Sequence, residues 1–275
     1  MTPALKSWQQ NLVDQIAPAN LPRPRTVSID APWTWLAAGW RDMWRVPLIS
    51  LSYGAVFALG AAVIAFGFAR FQIHSLFIAV AGGFLLVGPF VAVGLYECSR
   101  RLSNGANVSL VQLVKAGFGA RGQLAFFGVL LMLIALVWLR LAMLLMAIFL
   151  GTLSVPPPSE FMQMLLFTPQ GLGLLVVGTL IGGAIAASVF ALSAVAIPLL
   201  LVEQTDAVTA ARASLSAVCA NPVVMMLWAA LIVVMMGAGF LTLLIGLIVA
   251  FPLIGHATWY AYQDIYGETG GVAPP

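Results

Sequence analysis

Charged residues are scarce in this chain, and their scarcity is the first constraint on what the protein is. Of its 275 residues, 8% are charged and 62% are hydrophobic. Soluble domains carry roughly 25% charged residues, so 12 basic and 9 acidic side chains cannot cover a water-exposed surface of this size. Lipid must cover most of the outside, and the sequence predicts an all-α, polytopic membrane protein.

Cysteine and histidine are rarer still. Cys98 and Cys219 fit neither a disulfide framework nor a zinc-ligand spacing, and we interpret them as small packing residues. The two histidines, His74 and His256, are predicted near opposite faces of the membrane, so one haem iron could not reach both. The sequence therefore predicts no cofactor and no metal site.

Enzyme and nucleic-acid motifs are also missing. We find no Gly-x-Ser-x-Gly elbow and no Ser–His pair within a span, which argues against a hydrolase. No basic face with interleaved aromatic residues is present, so nucleic acid is not a predicted partner. The first 30 residues are polar and proline-rich and lack the apolar core of a cleavable signal.

Long apolar stretches are what the chain has instead. A helix needs about 20 apolar residues to cross the hydrocarbon layer. Four stretches satisfy this requirement directly, and a 40-residue block from Val223 to Tyr262 is long enough for two crossings. We divide that block at Gly237-Ala238-Gly239, because glycines favour a tight reversal. The six predicted spans are residues 47–68, 76–97, 123–150, 172–202, 223–238 and 241–262.

The basic residues give the predicted spans an orientation. Ten of them fall on one side, and only Arg70 falls in a loop on the other side. The ten are Lys6, Arg23, Arg25, Arg41, Arg45, Arg100, Arg101, Lys115, Arg121 and Arg212. Because basic loops stay in the cytoplasm, we predict a bacterial inner-membrane protein with both termini inside.

A threefold pattern runs through the predicted spans. Weakly amphipathic stretches at residues 33–45, 109–121 and 206–220 precede the odd-numbered spans and are expected to lie at the cytoplasmic interface; Asp206 is a candidate N-cap for the last of them. The even-numbered spans each carry a proline that should bend the helix: Pro89, Pro198 and Pro252. Such a pattern predicts three hairpins, each preceded by an interfacial helix; the alternative is that such features are simply common in membrane proteins.

The segments outside the predicted membrane domain, residues 31–266, are short. Residues 1–30 contain one amphipathic helix, with Leu5, Trp8, Leu12, Val13 and Ile16 on its apolar face, followed by a proline-rich linker. That helix either lies on the membrane, which we favour, or docks to a partner. Residues 267–275 are predicted to be disordered.

Small residues in two predicted spans indicate close helix packing. Gly178, Gly182 and Ala186 form one row, and Ala79 and Gly83 form another. Small-xxx-small rows let helix backbones approach each other in lipid. The contacts are either internal to the chain or a docking face for another subunit.

Ionisable residues within or beside spans are the candidate functional groups. Arg140 lies inside the third span and is expected to pair with Glu160, to extend to the outer headgroups, or to hold a substrate anion. The inner ends of the even-numbered spans carry Glu97, Glu203, Asp206, His256 and Asp264. Such a cluster could bind a cation or relay protons; the alternative is that these residues mark the water interface.

Three segments resemble a known family. They are Pro252-Leu-Ile-Gly-His256-Ala-Thr-Trp259-Tyr-Ala-Tyr262, Ile197-Pro198-Leu-Leu-Leu-Val-Glu203 and Ala210-Ala211-Arg212-Ala213-Ser214. The chain is similar, over roughly residues 33–266, to uncharacterised bacterial inner-membrane proteins with about six helices. Some members are likened to cytochrome oxidase subunits, but the paired helical histidines of a haem site are absent here. The resemblance implies a fold and a location rather than an activity.

The sequence leaves three functions to compare. Scarce polar groups within the spans favour a non-catalytic scaffold, assembly or accessory subunit of a larger membrane complex, such as a respiratory complex, with membrane lipids and other subunits as partners. A small-solute or ion transporter is the alternative, although transporters place several polar groups near the midplane. A lipid-modifying enzyme ranks third.

Overall fold

The computed structural model describes residues 3–70, 77–113, 122–151 and 158–267, and nearly all of them are helical. Its helices are α1 (Pro3–Ile16), α2 (Ala31–Arg45), α3 (Pro47–Arg70), α4 (Phe77–Val91), α5 (Val93–Ser103), α6 (Gly122–Leu150), α7 (Pro158–Phe167), α8 (Pro169–Ser193), α9 (Ala196–Val202), α10 (Ala207–Ala220), α11 (Pro222–Leu241) and α12 (Leu247–Tyr266). The described part of the chain contains no strand, so the predicted all-α class is confirmed.

Five helical segments among the described residues are long and apolar enough to cross a membrane. They are Pro47–Gly67, Ala79–Ser103, Gly122–Leu150, Pro169–Val202 and Pro222–Leu241. Each corresponds to one of the first five predicted spans, so a multi-pass membrane protein is supported. The sixth predicted span, residues 241–262, is not among them, and the arrangement in three hairpins stays a prediction.

The reversal before the last helix was predicted in the wrong place. Helix α11 continues through Gly237-Ala238-Gly239 to Leu241, and the chain turns at residues 242–246. Leu243 and Leu244 carry the left-handed backbone of this turn, with φ of 53° and 70°. Gly239 instead lies where helices meet, because a Cβ there would be 2.5 Å from Leu247 Cδ2. The glycine allows close packing, and non-glycine residues make the turn.

The three predicted helix-bending prolines behave differently from one another. Residues 76–97 are divided at Ala92, three residues after Pro89, and residues 172–202 are divided at 194–195, just before Pro198. Pro252 lies inside α12 without ending it. A proline inside a helix leaves the carbonyl one turn earlier without its usual hydrogen-bond donor. The regular helical hydrogen bonding is therefore interrupted near each of the three prolines.

Two of the three predicted interfacial stretches are helices over the expected residues. Residues 33–45 lie within α2, and residues 206–220 correspond to α10, which begins after Asp206. The Asp206 carboxylate accepts hydrogen bonds from the backbone N–H groups of Val208 and Thr209, so the predicted N-cap is confirmed. The third stretch, 109–121, lies outside the described residues beyond Leu113.

The N-terminal helix contacts the chain itself. Gln9 donates to the carbonyls of Cys219 and Ala220 at 2.8 and 3.0 Å, which joins α1 to the end of α10. The linker that follows is also bound to the rest of the chain, because the buried amide of Asn221 accepts from Val27 N and donates to Arg25 O. The predicted placement of α1 on the membrane stays a prediction.

The chain forms two compact units. Unit 1 contains residues 1–57, 89–127 and 190–275, and unit 2 contains residues 58–88 and 128–189. Within unit 1, α12 is the central helix: most of its residues are buried, and α2, α5 and α11 pack against it. This burial explains how His256 and Thr258 are accommodated in an otherwise apolar helix, since both side chains face protein.

Candidate functional site

Glycines bring three helices of unit 1 close to α12. A Cβ on Gly39 of α2 would be 2.7 Å from the backbone nitrogen of Ala257, and a Cβ on Gly54 of α3 would collide with the Ile248 carbonyl. That carbonyl is the one left without its helical donor by Pro252. On α12 itself, a Cβ on Gly255 would be 2.6 Å from Leu95 Cδ1 of α5. The four helices therefore meet at distances short enough for side-chain hydrogen bonds between them.

A buried polar network lies where these helices meet. Ser99 of α5 donates to Asp42 Oδ2 at 2.8 Å and lies 2.8 Å from His256 Nδ1. On the other side of the ring, His256 Nε2 lies 2.9 Å from the Ser50 hydroxyl of α3. Tyr260 donates to Asp42 Oδ2 at 2.7 Å. We call these five residues the Asp42–His256 network.

The directions of these hydrogen bonds fix the tautomer of the imidazole. A serine hydroxyl has one proton, and that of Ser99 is directed to Asp42. Ser99 must then accept from His256, which places the ring proton on Nδ1. His256 Nε2 is left as an acceptor, and the Ser50 hydroxyl donates to it. Donors and acceptors alternate without conflict from Ser50 to Asp42.

Asp42 carries the charge of the network. Burial raises the pKa of its carboxyl, while hydrogen bonds from Tyr260 and Ser99 and the charges of Arg45 and Arg41 act in the opposite direction. Arg45 approaches Asp42 Oδ1 at 3.4 Å and keeps 60% of its side chain exposed. The carboxyl is thus held by neutral donors within the protein and by one partly exposed cation.

The network resembles a catalytic arrangement in its pairing but not in its access. Ser50 faces a histidine that is oriented by a third group, which is the logic of an activated nucleophile, and the expectation that no Ser–His pair exists was wrong. However, Ser50, Ser99 and His256 have no exposed surface, and Asp42 has 1%. A substrate cannot reach a hydroxyl that protein encloses, so in this structure the network connects helices.

The predicted inner polar cluster is not one cluster. Glu97 accepts from Arg100 at 2.6 Å and from Arg101 at 2.7 Å, while Asp264 accepts from the indole of Trp35 at 3.0 Å. Asp206 caps α10, and hydrogen bonds from Thr209 lower the pKa of its carboxyl. Of the five residues, His256 alone is a member of the Asp42–His256 network as defined above.

The structure does not join Arg140 to Glu160. Both side chains are exposed, and among the described residues the ion pairs do not include one between them. Extension of Arg140 to the outer headgroups stays a prediction. No group of three or more histidine, cysteine or acidic residues in the described ranges is arranged to hold a metal.

Small residues in unit 2 meet around Trp138 of α6. Its indole donates to the Ala79 carbonyl of α4 at 2.7 Å. Gly83 is in ordinary contact with the same side chain, and a Cβ on Gly182 of α8 would be 2.7 Å from it. The other two residues of the predicted α8 row differ: Gly178 has open space around it and Ala186 is exposed.

Sequence reasoning identified His256 but missed its partners. Asp42 is the only acidic residue between Trp33 and Arg45, and it falls between the exposed Trp40 and Trp44. An acidic residue two positions away from each of two exposed tryptophans should lie on the other face of the helix, which was the available signal. Ser50 and Ser99 gave no such signal, because serine is ordinary in apolar helices.

Comparison with known proteins supports the membrane assignment. Residues 76–203 match the model of a family described as "Predicted integral membrane protein (DUF2189)". No curated protein and no solved structure matches the chain. The segment around Glu203 lies inside the matched region, and the segments at 210–214 and 252–262 lie outside it. Over residues 76–203, this chain is thus similar to an uncharacterised family of integral membrane proteins, as its sequence indicated.

Proposed function

We propose that the protein is a non-catalytic integral membrane protein that serves as a scaffold or accessory subunit of a larger membrane assembly. The observation that carries the proposal is the enclosure of the Asp42–His256 network. Its polar atoms are engaged by groups of the same chain, and Ser50, Ser99 and His256 have no exposed surface. A network of this kind orders helices but offers nothing to a substrate.

The surface of α8 supports the same function. Thr179, Gly183 and Ala187 are exposed at four-residue spacing, and Gly183 has open space around it. The adjacent Gly182 packs against Trp138 within the chain. Helix α8 therefore has a second small-residue face that the described residues of unit 2 leave open, and such faces let another membrane helix approach closely.

The orientation belongs to the proposal as well. We place the protein in a bacterial inner membrane with both termini in the cytoplasm, because basic residues collect on one side of the apolar segments. An impermeant thiol label applied to intact cells should not react with a cysteine introduced at Arg100. Labelling of that cysteine from outside would reverse the orientation.

Native electrophoresis of mildly solubilised membranes tests the scaffold function. The wild-type chain should migrate with other proteins well above the size of one chain. Gly183→Leu should shift it towards a smaller species, because the side chain fills the open face without touching the chain's own core. Leu180→Ala on the same exposed side is the matched control and should migrate like the wild type. A wild-type chain that migrates alone would contradict the proposal.

The hydrogen-bonded order of the network favours a second candidate, a proton-coupled small-solute or ion transporter. Asp42, Ser99, His256 and Ser50 form a continuous chain of donors and acceptors between α2 and α3. Protein reconstituted in vesicles should then dissipate a pH gradient, and Ser99→Ala should abolish this flux. Equal leak through wild type and Ser99→Ala would exclude this candidate.

A further inference from the structure

One face of α2 is exposed along its whole length. Its residues recur at helical spacing, every three or four positions, and continue into the first turn of α3. They are Trp33, Ala37, Trp40, Arg41, Trp44, Arg45 and Leu48. We call this set the α2 outer face. The opposite face of the helix, with Trp35, Gly39 and Asp42, is buried in unit 1.

The α2 outer face combines aromatic rings with positive charge. Trp40 and Trp44 are 46% and 51% exposed, and their rings contact edge to face with centroids 5.6 Å apart. Arg41 and Arg45 follow these tryptophans directly and are also exposed. The one acidic residue of the helix, Asp42, is buried on the other face and lies 3.4 Å from the Arg45 guanidinium. One carboxylate thus stands against two arginines, and the surface keeps a net positive charge.

The position of the face along the chain sets its depth in a membrane. Helix α2 ends at Arg45, and the candidate span begins two residues later at Pro47. Leu48, the first large apolar side chain of that span, is 87% exposed. The arginines therefore lie at the boundary where an apolar helix enters lipid, which is the level of the phospholipid headgroups.

We propose that the α2 outer face binds the phosphodiester headgroup of an anionic phospholipid. The guanidinium groups of Arg41 and Arg45 donate to phosphate oxygens, a pairing that arginine geometry favours. Trp40 and Trp44 occupy the boundary between the headgroup and the acyl chains, where indole rings are most stable. The close approach of Gly39 to Ala257 packs the buried face of α2 against α12, so the opposite face presents its charges outward.

Lipid retention by the full-length chain tests this binding. The purified protein is titrated with phosphatidylglycerol and, separately, with phosphatidylcholine, and bound lipid is counted by native mass spectrometry. The wild type should retain phosphatidylglycerol preferentially. Because one basic residue near an anionic surface contributes about a fivefold change in affinity, Arg41→Gln should weaken binding about fivefold and the Arg41→Gln/Arg45→Gln double variant about 25-fold.

Three controls keep the test decisive. Arg23→Gln removes an exposed arginine from the linker and should leave retention unchanged. If the glutamine variants unfold, Arg41→Lys/Arg45→Lys keeps the charge and should retain the lipid. Equal retention of the two lipids by the wild type, or an Arg41→Gln variant that binds like the wild type, would overturn the proposal. Displacement of the lipid by millimolar inorganic phosphate would assign the site to free phosphate instead.

Discussion

The two units of this protein are built on different kinds of contact. In unit 1, glycines allow α2 and α3 to approach the backbone of α12 closely, and buried side chains from four helices form hydrogen bonds with one another. In unit 2, small residues of α4 and α8 pack against one bulky side chain, Trp138 of α6. Hydrogen bonds between buried side chains therefore help to specify which helices meet in unit 1. Around Trp138 in unit 2, shape and one hydrogen bond to a backbone carbonyl do so.

This difference predicts unequal tolerance of the same substitution within one helix. Helix α3 carries Gly54 in unit 1 and Gly60 in unit 2. A Cβ at Gly54 collides with backbone, while one at Gly60 meets nothing within 4 Å. Gly54→Ala should lower the free energy of unfolding by about 3 kcal/mol, and Gly60→Ala should leave it unchanged or raise it by up to about 1 kcal/mol.

Reversible unfolding in mixed micelles measures both variants. Equal changes in the free energy of unfolding for Gly54→Ala and Gly60→Ala would contradict the prediction. The contact between Gly54 and the Ile248 carbonyl would then not limit how closely α3 and α12 pack.

Serine hydroxyls provide a second, smaller contrast. Ser99→Ala leaves His256 Nδ1–H without an acceptor and removes one donor from Asp42, which should cost about 2 kcal/mol. Ser188 of unit 2 is exposed and bonds to its own helix at Ala184, so Ser188→Ala should change stability by less than about 0.5 kcal/mol. Unfolding midpoints in the same micelles give both values; a neutral Ser99→Ala would mean that the network contributes little.

Two indole donors sharpen the same comparison. Trp35 of unit 1 donates to the Asp264 carboxylate, and Trp138 of unit 2 donates to the Ala79 carbonyl. Phenylalanine removes the donor and keeps most of the packing. Since bonds to charged acceptors are stronger, Trp35→Phe should cost about 2 kcal/mol and Trp138→Phe about 1 kcal/mol. The opposite order would show that solvent screens the exposed Asp264 carboxylate enough to offset the advantage of its charge.

The smallest expected effect is a pH dependence confined to unit 1. Burial raises the pKa of Asp42 in the folded chain, so the folded state binds this proton more tightly than the unfolded state. The stabilisation of the folded state by this proton is complete below the ordinary carboxyl pKa. It is lost as the pH rises through the raised pKa of Asp42 in the folded chain. Asp42→Asn should remove this component, which subtraction of the two stability curves measures. If stability depended on pH identically in the wild type and Asp42→Asn, the raised pKa of Asp42 would be contradicted.

Composition and periodicity predicted the membrane class and five of the apolar segments, because span length and hydropathy are properties of continuous sequence. The last hairpin was predicted less well. Gly237 and Gly239 could equally serve a turn or a close helix contact, and only the positions of neighbouring helices decide between them. The Asp42–His256 network was missed for a related reason. Ser50 and His256 are 206 positions apart in the sequence, and Asp42 and Tyr260 are 218 apart, so only helix packing brings them together.

The position of the imidazole proton tests the central claim most directly. The chain has two histidines, so ¹⁵N-histidine labelling of a His74→Gln variant reports on His256 alone. In lipid, nuclear magnetic resonance should show a proton on Nδ1 and none on Nε2, because Ser99 accepts from the first and Ser50 donates to the second. A proton on Nε2 instead would contradict the direction of every hydrogen bond assigned between Ser50 and Asp42.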